Sequence, residues 1–270
     1  MSNPILNNKR FLPQETYVKD KVYEAEIVNE TDLVNDNRIS QGRIYDEPMT
    51  INGAVNKIFM LSICLIAGAA INVYNMLTGN TALAQILMFA GAIIAFILVL
   101  ATCFNVKLAK YTAAPYALLE GLVLGGISTL FEAQYQGIVL QAISVTFAVL
   151  LTMLMLYKTR VITYTDRLSS IIKTGLFSIC AIYLIQIVAS FFGRSIPQIF
   201  DAGPIGIIFS IIVVGFASVS LIQDFFFIEK SAEQMLSKDY EWFGAMGLMI
   251  TMVWLYMEIL RLLAKLNSRR

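Results

Sequence analysis

Two apolar stretches near the carboxyl terminus decide the fold: residues 203–228, GPIGIIFSIIVVGFASVSLIQDFFFI, and residues 242–266, WFGAMGLMITMVWLYMEILRLLAKL. Each is long enough to cross a bilayer as a helix, and each carries one acid in an apolar setting, Asp224 in the first and Glu258 in the second. A carboxylate inside a bilayer helix costs about 2.5–3.5 kcal/mol on insertion scales, so such groups usually face protein or a wet cavity. We therefore expect both acids to point into a helix bundle.

Helical periodicity places the polar groups of each stretch on a single face. The face of the first stretch is small and hydroxylated and ends in a carboxylate; it comprises Gly206, Ser210, Val213, Ala217, Ser220 and Asp224. The corresponding stripe of the second stretch comprises Gly244, Gly247, Thr251, Trp254, Glu258, Arg261 and Lys265. Both faces are predicted to contact protein or water and not lipid.

The composition of the whole chain agrees with a membrane location. Of 270 residues, 57% are hydrophobic and 14% are charged, against about 25% charged in soluble domains. Seven apolar segments predict an all-α, polytopic integral membrane protein, a seven-helix bundle spanning residues 51–270. They are Ala54 to Leu77, Ala82 to Phe104, Thr112 to Phe131, Ile138 to Tyr157, Thr174 to Phe192, Ile205 to Ile228 and Trp242 to Leu263.

Residues 1–50 hold no apolar run and mix charges of both signs. We predict a mostly disordered polar tail, with a short amphipathic helix around Thr16 to Val28 as the alternative. Lysine and arginine near the spans number eleven on the side of the amino terminus and five on the other. This asymmetry predicts a cytoplasmic amino terminus in the inner or plasma membrane of the cell.

Several function classes are disfavoured by what the sequence lacks. Histidine is absent, which excludes catalysis or metal ligation through imidazole. The net charge of +1 gives no reason to expect a nucleic-acid partner. With no nucleophile–base pair and no ligand cluster in view, we expect neither an enzyme nor a bound cofactor, and carboxylates must carry any proton chemistry.

A third acid, Glu120, lies near the middle of the third span, next to Gly121 and Gly125. The two glycines form a GxxxG pair, which lets helix backbones approach closely in membranes, so helix packing is their expected role. Glu120 itself serves either an ion pathway or a structural hydrogen bond in protonated form. Glu258 has a comparable alternative, because Arg261 three residues later can pair with it along the same helix.

The chain resembles the transmembrane Bax-inhibitor-motif family, its bacterial YccA-like branch in particular. The resemblance covers residues 49–266 and is carried by motifs in four places: Met49-Thr50-Ile51-Asn52-Gly53, the run from Leu119-Glu120-Gly121 to Ile127-Ser128, Asp224-Phe225 with Ile228-Glu229, and Glu241-Trp242 followed by the run from Trp254 to Leu263. It implies a seven-helix bundle with a central last helix.

In better-understood members, two acids on the sixth and seventh helices form a hydrogen-bonded pair that senses pH and gates a calcium leak. The resemblance assigns these positions to Asp224 and Glu258, which would also contact calcium transiently. A basic latch at the end of the second helix would be Lys107 or Lys110. The chain departs from the family pattern in having Glu258 where those members have aspartate, and in a longer link between the two acids.

Three functions follow as hypotheses. The first is a pH-sensitive calcium leak, in which two carboxylates held close in a low dielectric share a proton and part when they lose it. The second is a non-conducting regulatory protein that modulates a membrane protease or another membrane partner, as the family resemblance implies. The third is a proton-coupled carrier that uses Glu120 and Glu258 as a relay, which the missing histidines and the lack of an internal repeat disfavour.

Overall fold

The computed structural model describes residues 48–192 and 201–269. In this part of the chain, seven helices are long and apolar enough to cross a membrane, which confirms the predicted all-α, seven-helix bundle. They are α1 (Ile51–Leu77), α2 (Thr81–Phe104), α3 (Ala109–Gln134), α4 (Ile138–Lys158), α5 (Asp166–Phe191), α6 (Pro204–Glu233) and α7 (Asp239–Asn267). The predictions made for residues 1–47, including the helix at Thr16 to Val28, lie outside the described residues.

Several helices extend beyond the spans predicted from hydropathy. The helix α5 begins at Asp166 and not at Thr174, and α6 continues from Ile228 to Glu233. Hydropathy marks only the residues that lie in hydrocarbon, whereas the hydrogen-bonded helix continues into the polar interface. The Thr165 hydroxyl caps α5 by accepting a hydrogen bond of 3.3 Å from the Leu168 amide, which fixes its early start.

Contacts between helix ends fix the direction of the chain through the bundle. The cap residue of α1, Thr50, contacts Glu241 at the start of α7, and Lys110 at the start of α3 faces Asp239. We call this the proximal end of the bundle. Lys265 near the end of α7 reaches the first turns of α6, so these two helices are antiparallel and meet again at the opposite, distal end.

The last helix is central, as predicted. It packs against α1, α3, α4 and α6, and most of its apolar segment is buried. In contrast, α5 packs mainly against α6 and buries little of its surface. A helix held on one side only leaves space between itself and the rest of the bundle, and this position of α5 shapes the site described below.

Close packing of α1 against α3 supports the central helix. A Cβ atom at Gly121 would overlap the carbonyl oxygen of Leu65, and one at Gly125 would overlap Ala69. The GxxxG pair therefore lies at a helix contact, which is the packing role expected for it. Next to this contact the fully buried Asn72 donates a hydrogen bond of 2.6 Å to the Leu122 carbonyl oxygen, joining the same two helices.

Candidate functional site

Glu258 lies in the distal half of α7 and is almost fully buried. Its carboxylate accepts hydrogen bonds of 2.9 and 3.1 Å from Nη1 of Arg261, one turn further along the same helix. It also accepts a 2.8 Å hydrogen bond from the Tyr183 hydroxyl of α5, and Arg261 donates to the same hydroxyl oxygen at 2.7 Å. The pairing of Glu258 with Arg261 that the sequence allowed is therefore present, and Tyr183 joins it to the peripheral helix.

These three side chains border a cleft of about 620 Å³ between α3, α5 and α7. Its walls are mostly apolar and aromatic, with a few polar groups. The lining residues are Tyr116, Glu120, Tyr183, Gln186, Ile187, Ile250, Val253, Trp254, Met257, Glu258 and Arg261. Since α3 and α7 are well packed and α5 is not, the cleft occupies the space left by the peripheral helix.

Glu120 reaches this cleft from α3. Its side chain is partly exposed, and among the described residues no group hydrogen-bonds or ion-pairs with its carboxylate. The neighbouring Tyr116, one turn earlier on α3, also lines the cleft. Two acids, Glu120 and Glu258, thus share one cavity, and only the second has a cationic partner.

Asp224 lies elsewhere in the bundle. It faces Gly247 of α7 and lies near Thr251, one turn further along that helix. Its second oxygen, Oδ2, is buried and makes no hydrogen bond with any described residue. An unsatisfied buried acceptor is costly, typically by about 1–3 kcal/mol, and such exceptions often mark functional positions.

The structure does not bring Asp224 and Glu258 together, which corrects the expectation of a directly paired gate. Thr251, beside Asp224, precedes Glu258 by seven residues on α7, an axial separation of about 10 Å at 1.5 Å per residue. The physical reason is the unequal depth of the two acids: Asp224 lies nine residues before the last residue of α6, Glu233, whereas Glu258 lies nineteen residues after the first residue of α7, Asp239. This register places Asp224 two turns closer to the proximal end than Glu258.

Neither predicted lysine latch contacts the two acids. Lys110 lies 4.0 Å from Asp239 in a partly exposed ion pair at the proximal end. Lys107 lies in a short 3₁₀ turn, Val106–Leu108, where its amide is held by the Asn105 side chain. Of the three candidate basic residues, only Arg261 pairs with one of the acids.

No set of three or more acids and cysteines in the described residues lies close enough together to hold a metal ion. Because Asp224 and Glu258 engage separate partners, the pair does not form a ready-made calcium site. Any contact of a cation with these carboxylates must therefore be made one acid at a time, or after the helices move.

Among the described residues, the acid with the lowest exposure is Glu241, in the first turn of α7, which was not predicted as a site residue. Its carboxylate accepts hydrogen bonds from the amide and hydroxyl of Thr50, at 2.9 and 3.1 Å, and forms an ion pair with Lys57. We call this group the proximal knot. The position of Lys57 in the sequence indicates a buried acidic partner, because a lysine two turns inside an apolar span needs a counter-ion. Its partner, 184 residues away, shows no local pattern.

The distal end of α7 carries one further buried charge. Lys265 donates hydrogen bonds of 3.0 Å to the Gly206 carbonyl oxygen and 2.9 Å to the Ser210 hydroxyl. The polar stripe predicted for α7 and the small-residue face predicted for α6 therefore meet, at Lys265 with Ser210 and at Thr251 with Asp224.

These features define an α-helical, polytopic membrane protein whose central helix carries charged groups inside the bundle. A family model described as Bax inhibitor 1 like matches residues 3–268, and the chain belongs to this family. No curated protein matches it in a sequence comparison. The assignment to the YccA-like branch stays a prediction.

Proposed function

We propose that the protein is a cation leak of the cell membrane, with calcium as the ion that its family suggests. The observation that carries this proposal is the placement of three carboxylates inside the bundle at two levels. Glu120 near the middle of α3 and Glu258 in the distal half of α7 line the cleft, and Asp224 lies about two turns closer to the proximal end than Glu258. Oxygen ligands at successive levels are what a hard cation requires when it leaves water.

The structure corresponds to a closed state in this proposal. Arg261 and Tyr183 both donate hydrogen bonds to the Glu258 carboxylate, so an incoming cation must displace them. Asp224 is the inner cation contact, where one carboxylate oxygen has no hydrogen-bond partner among the described residues. Protonation removes the negative charge that attracts cations, so acidification is expected to reduce the leak. This gate depends on two separate acids, in place of the shared pair expected from the sequence.

Flux through reconstituted vesicles tests the proposal. Purified protein is placed in liposomes containing a calcium-sensitive dye, and the initial rate of calcium entry is measured at several pH values. We expect Asp224→Asn and Glu258→Gln each to lower the rate about tenfold, equivalent to about 1.4 kcal/mol on the barrier. Glu233→Gln is the matched control, because Glu233 is exposed and pairs only with its neighbour Lys230.

A wild-type rate equal to that of empty vesicles would overturn the proposal. So would a rate that both substitutions leave unchanged at every pH. Either result would favour the regulatory alternative, for which the internal engagement of Glu258 and Glu241 is the supporting observation, since both acids then serve only to hold helices together. Copurification of a membrane protease or another membrane protein with the full chain is the measurement for that alternative.

We further propose that the amino terminus faces the cytoplasm, from the excess of basic residues on that side, and we assign the chain no enzymatic reaction. Labelling of a single cysteine introduced at Glu47, just before α1, tests the orientation with a membrane-impermeant thiol reagent. The chain's own cysteines, Cys64, Cys103 and Cys180, are first replaced by alanine, because two of them are exposed on the helix surfaces. Labelling in intact cells would place the amino terminus outside.

A further inference from the structure

The charges that line the cleft do not balance. Two carboxylates, Glu120 and Glu258, and one guanidinium, Arg261, face it. Arg261 is committed to Glu258 through its Nη1 atom, whereas the Glu120 carboxylate has no cationic or hydrogen-bonding partner among the described residues. The next charges along the distal end, Lys265 and Asp201, have opposite signs and do not line the cleft. When Glu120 is ionised, its negative charge is therefore not compensated by any of the described residues.

The walls of the cleft suit an organic occupant better than a bare ion. Its volume of about 620 Å³ lies within the range of about 300–1,000 Å³ that is typical of small-molecule sites. Tyr116 and Trp254 place aromatic surface in the same cavity, together with apolar residues such as Val253. Aromatic faces attract organic cations, and apolar walls favour an apolar body.

We propose that this cleft binds a protonated organic amine that carries an apolar body. Its ammonium group would pair with Glu120, and its body would lie against Trp254 and the apolar wall. A calcium ion takes six to eight oxygen ligands, so in the proposed leak it would pass this cleft only transiently, after displacing Arg261, and would not be its resting occupant. An anion would meet two carboxylates. The inference goes beyond the proposed leak and is measured without any flux, so either can fail alone.

Two sources offer this chemistry, a free amine and the ethanolamine headgroup of a phospholipid. Both present an ammonium group, attached directly to the apolar body in the free amine and separated from the acyl chains by a phosphate in the phospholipid, and the bilayer holds the second at high concentration. The experiment therefore has one arm without aminophospholipid and one arm with it.

Trp254 is a reporter inside the site. The chain contains two tryptophans, so Trp242→Phe leaves Trp254 as the sole source of tryptophan fluorescence. This variant is placed in nanodiscs of phosphatidylcholine and titrated with phenethylamine, which is protonated at neutral pH as a lysine side chain is. We expect a saturable change in Trp254 emission. Glu120→Gln should raise the Kd about tenfold, or about 1.4 kcal/mol, and Glu120→Asp should restore part of the affinity.

The controls distinguish binding that depends on the charge of the ligand from partitioning of its ring into lipid. The neutral 2-phenylethanol and the anionic phenylacetate have the same ring, and Glu233→Gln keeps the cleft intact while removing an exposed acid. Equal responses to the amine and the alcohol, or a Kd that Glu120→Gln does not change, would overturn the proposal.

The second arm repeats the titration in nanodiscs that contain phosphatidylethanolamine. A higher apparent Kd for phenethylamine, lost in Glu120→Gln, supports the site and identifies the lipid headgroup as an occupant. An unchanged Kd, with the Glu120 dependence of the first arm intact, supports the site with a free amine as its ligand. A higher apparent Kd that persists in Glu120→Gln shows that the lipid acts elsewhere and overturns the assignment of the ammonium group to Glu120.

Discussion

At the proximal end of α7, Glu241 is buried away from any cleft, whereas in the distal half of the same helix Glu258 borders an open cleft. The exposed fraction of the side chain is 15% for Lys57 and 2% for Glu241 in the proximal knot. In the distal pair it is 35% for Arg261 and 3% for Glu258. A fully enclosed ion pair is suited to holding helices in register, and a half-open one is suited to exchanging partners. One helix thus combines a fixed end with an adaptable one.

Breaking the proximal knot should have the largest effect on stability. Lys57→Met leaves the Glu241 carboxylate buried without its counter-ion, and loss of one partner of a buried pair costs about 3–5 kcal/mol. Thermal or denaturant unfolding of the detergent-solubilised protein measures this loss. Lys230→Met is the matched control, since its ion pair with Glu233 is exposed and worth about 0–1 kcal/mol.

A double substitution sharpens the same test. Lys57→Met combined with Glu241→Leu removes both charges together, and apolar replacement of a whole buried pair is often neutral or stabilising. We therefore expect the double variant to be more stable than Lys57→Met alone. A double variant as unstable as the single one would show that the knot acts through the Thr50 hydrogen bonds and not through its ion pair.

The distal pair should respond less strongly. Tyr183→Phe removes the hydroxyl that bonds both Glu258 and Arg261, at a cost of about 1.5–3 kcal/mol for a hydrogen bond to a charged group. Its larger consequence should be local, because Tyr183 joins the peripheral α5 to α7. Emission from Trp254 in the Trp242→Phe background should shift to the red as water enters. An unshifted spectrum would mean that other contacts of α5 keep this helix in place beside α7.

The smallest effect is expected at the turn that follows α6. Met235 has a left-handed backbone, with φ of 50°, and is exposed. The Leu236 amide donates to the Ser231 carbonyl oxygen at 3.1 Å, a helix-ending motif in which glycine is favoured at the position of Met235. Met235→Gly should therefore raise the free energy of unfolding by about 0.5–1 kcal/mol. The unfolding midpoint in detergent measures it, and Met235→Ala, which keeps a Cβ atom, should give no such gain.

Local patterns in the sequence predicted what depends on a single helix. The seven spans, the close approach at Gly121 and Gly125, and the Glu258–Arg261 pair follow from spacing and hydropathy, whereas the central position of the last helix was implied by the family resemblance. Contacts between helices depend on their register, which the link between α6 and α7 sets. Asp224 lies nine residues before the end of α6 and Glu258 nineteen residues after the start of α7, so the antiparallel pair places Asp224 near Thr251 and away from Glu258. No pattern along the chain specifies such an offset.

The proximal knot also fixes an order of events during biosynthesis. Thr50 and Glu241 are separated by 191 residues, so α1 enters the membrane long before its partner leaves the ribosome. In that interval Lys57, two turns from the helix start, must extend its ammonium group to the lipid headgroups. The Met49 amide, which donates a hydrogen bond of 2.7 Å to the Leu236 carbonyl oxygen, is likewise synthesised long before its partner. We therefore expect α1 to reach its final packed position only after α7 has been inserted beside it.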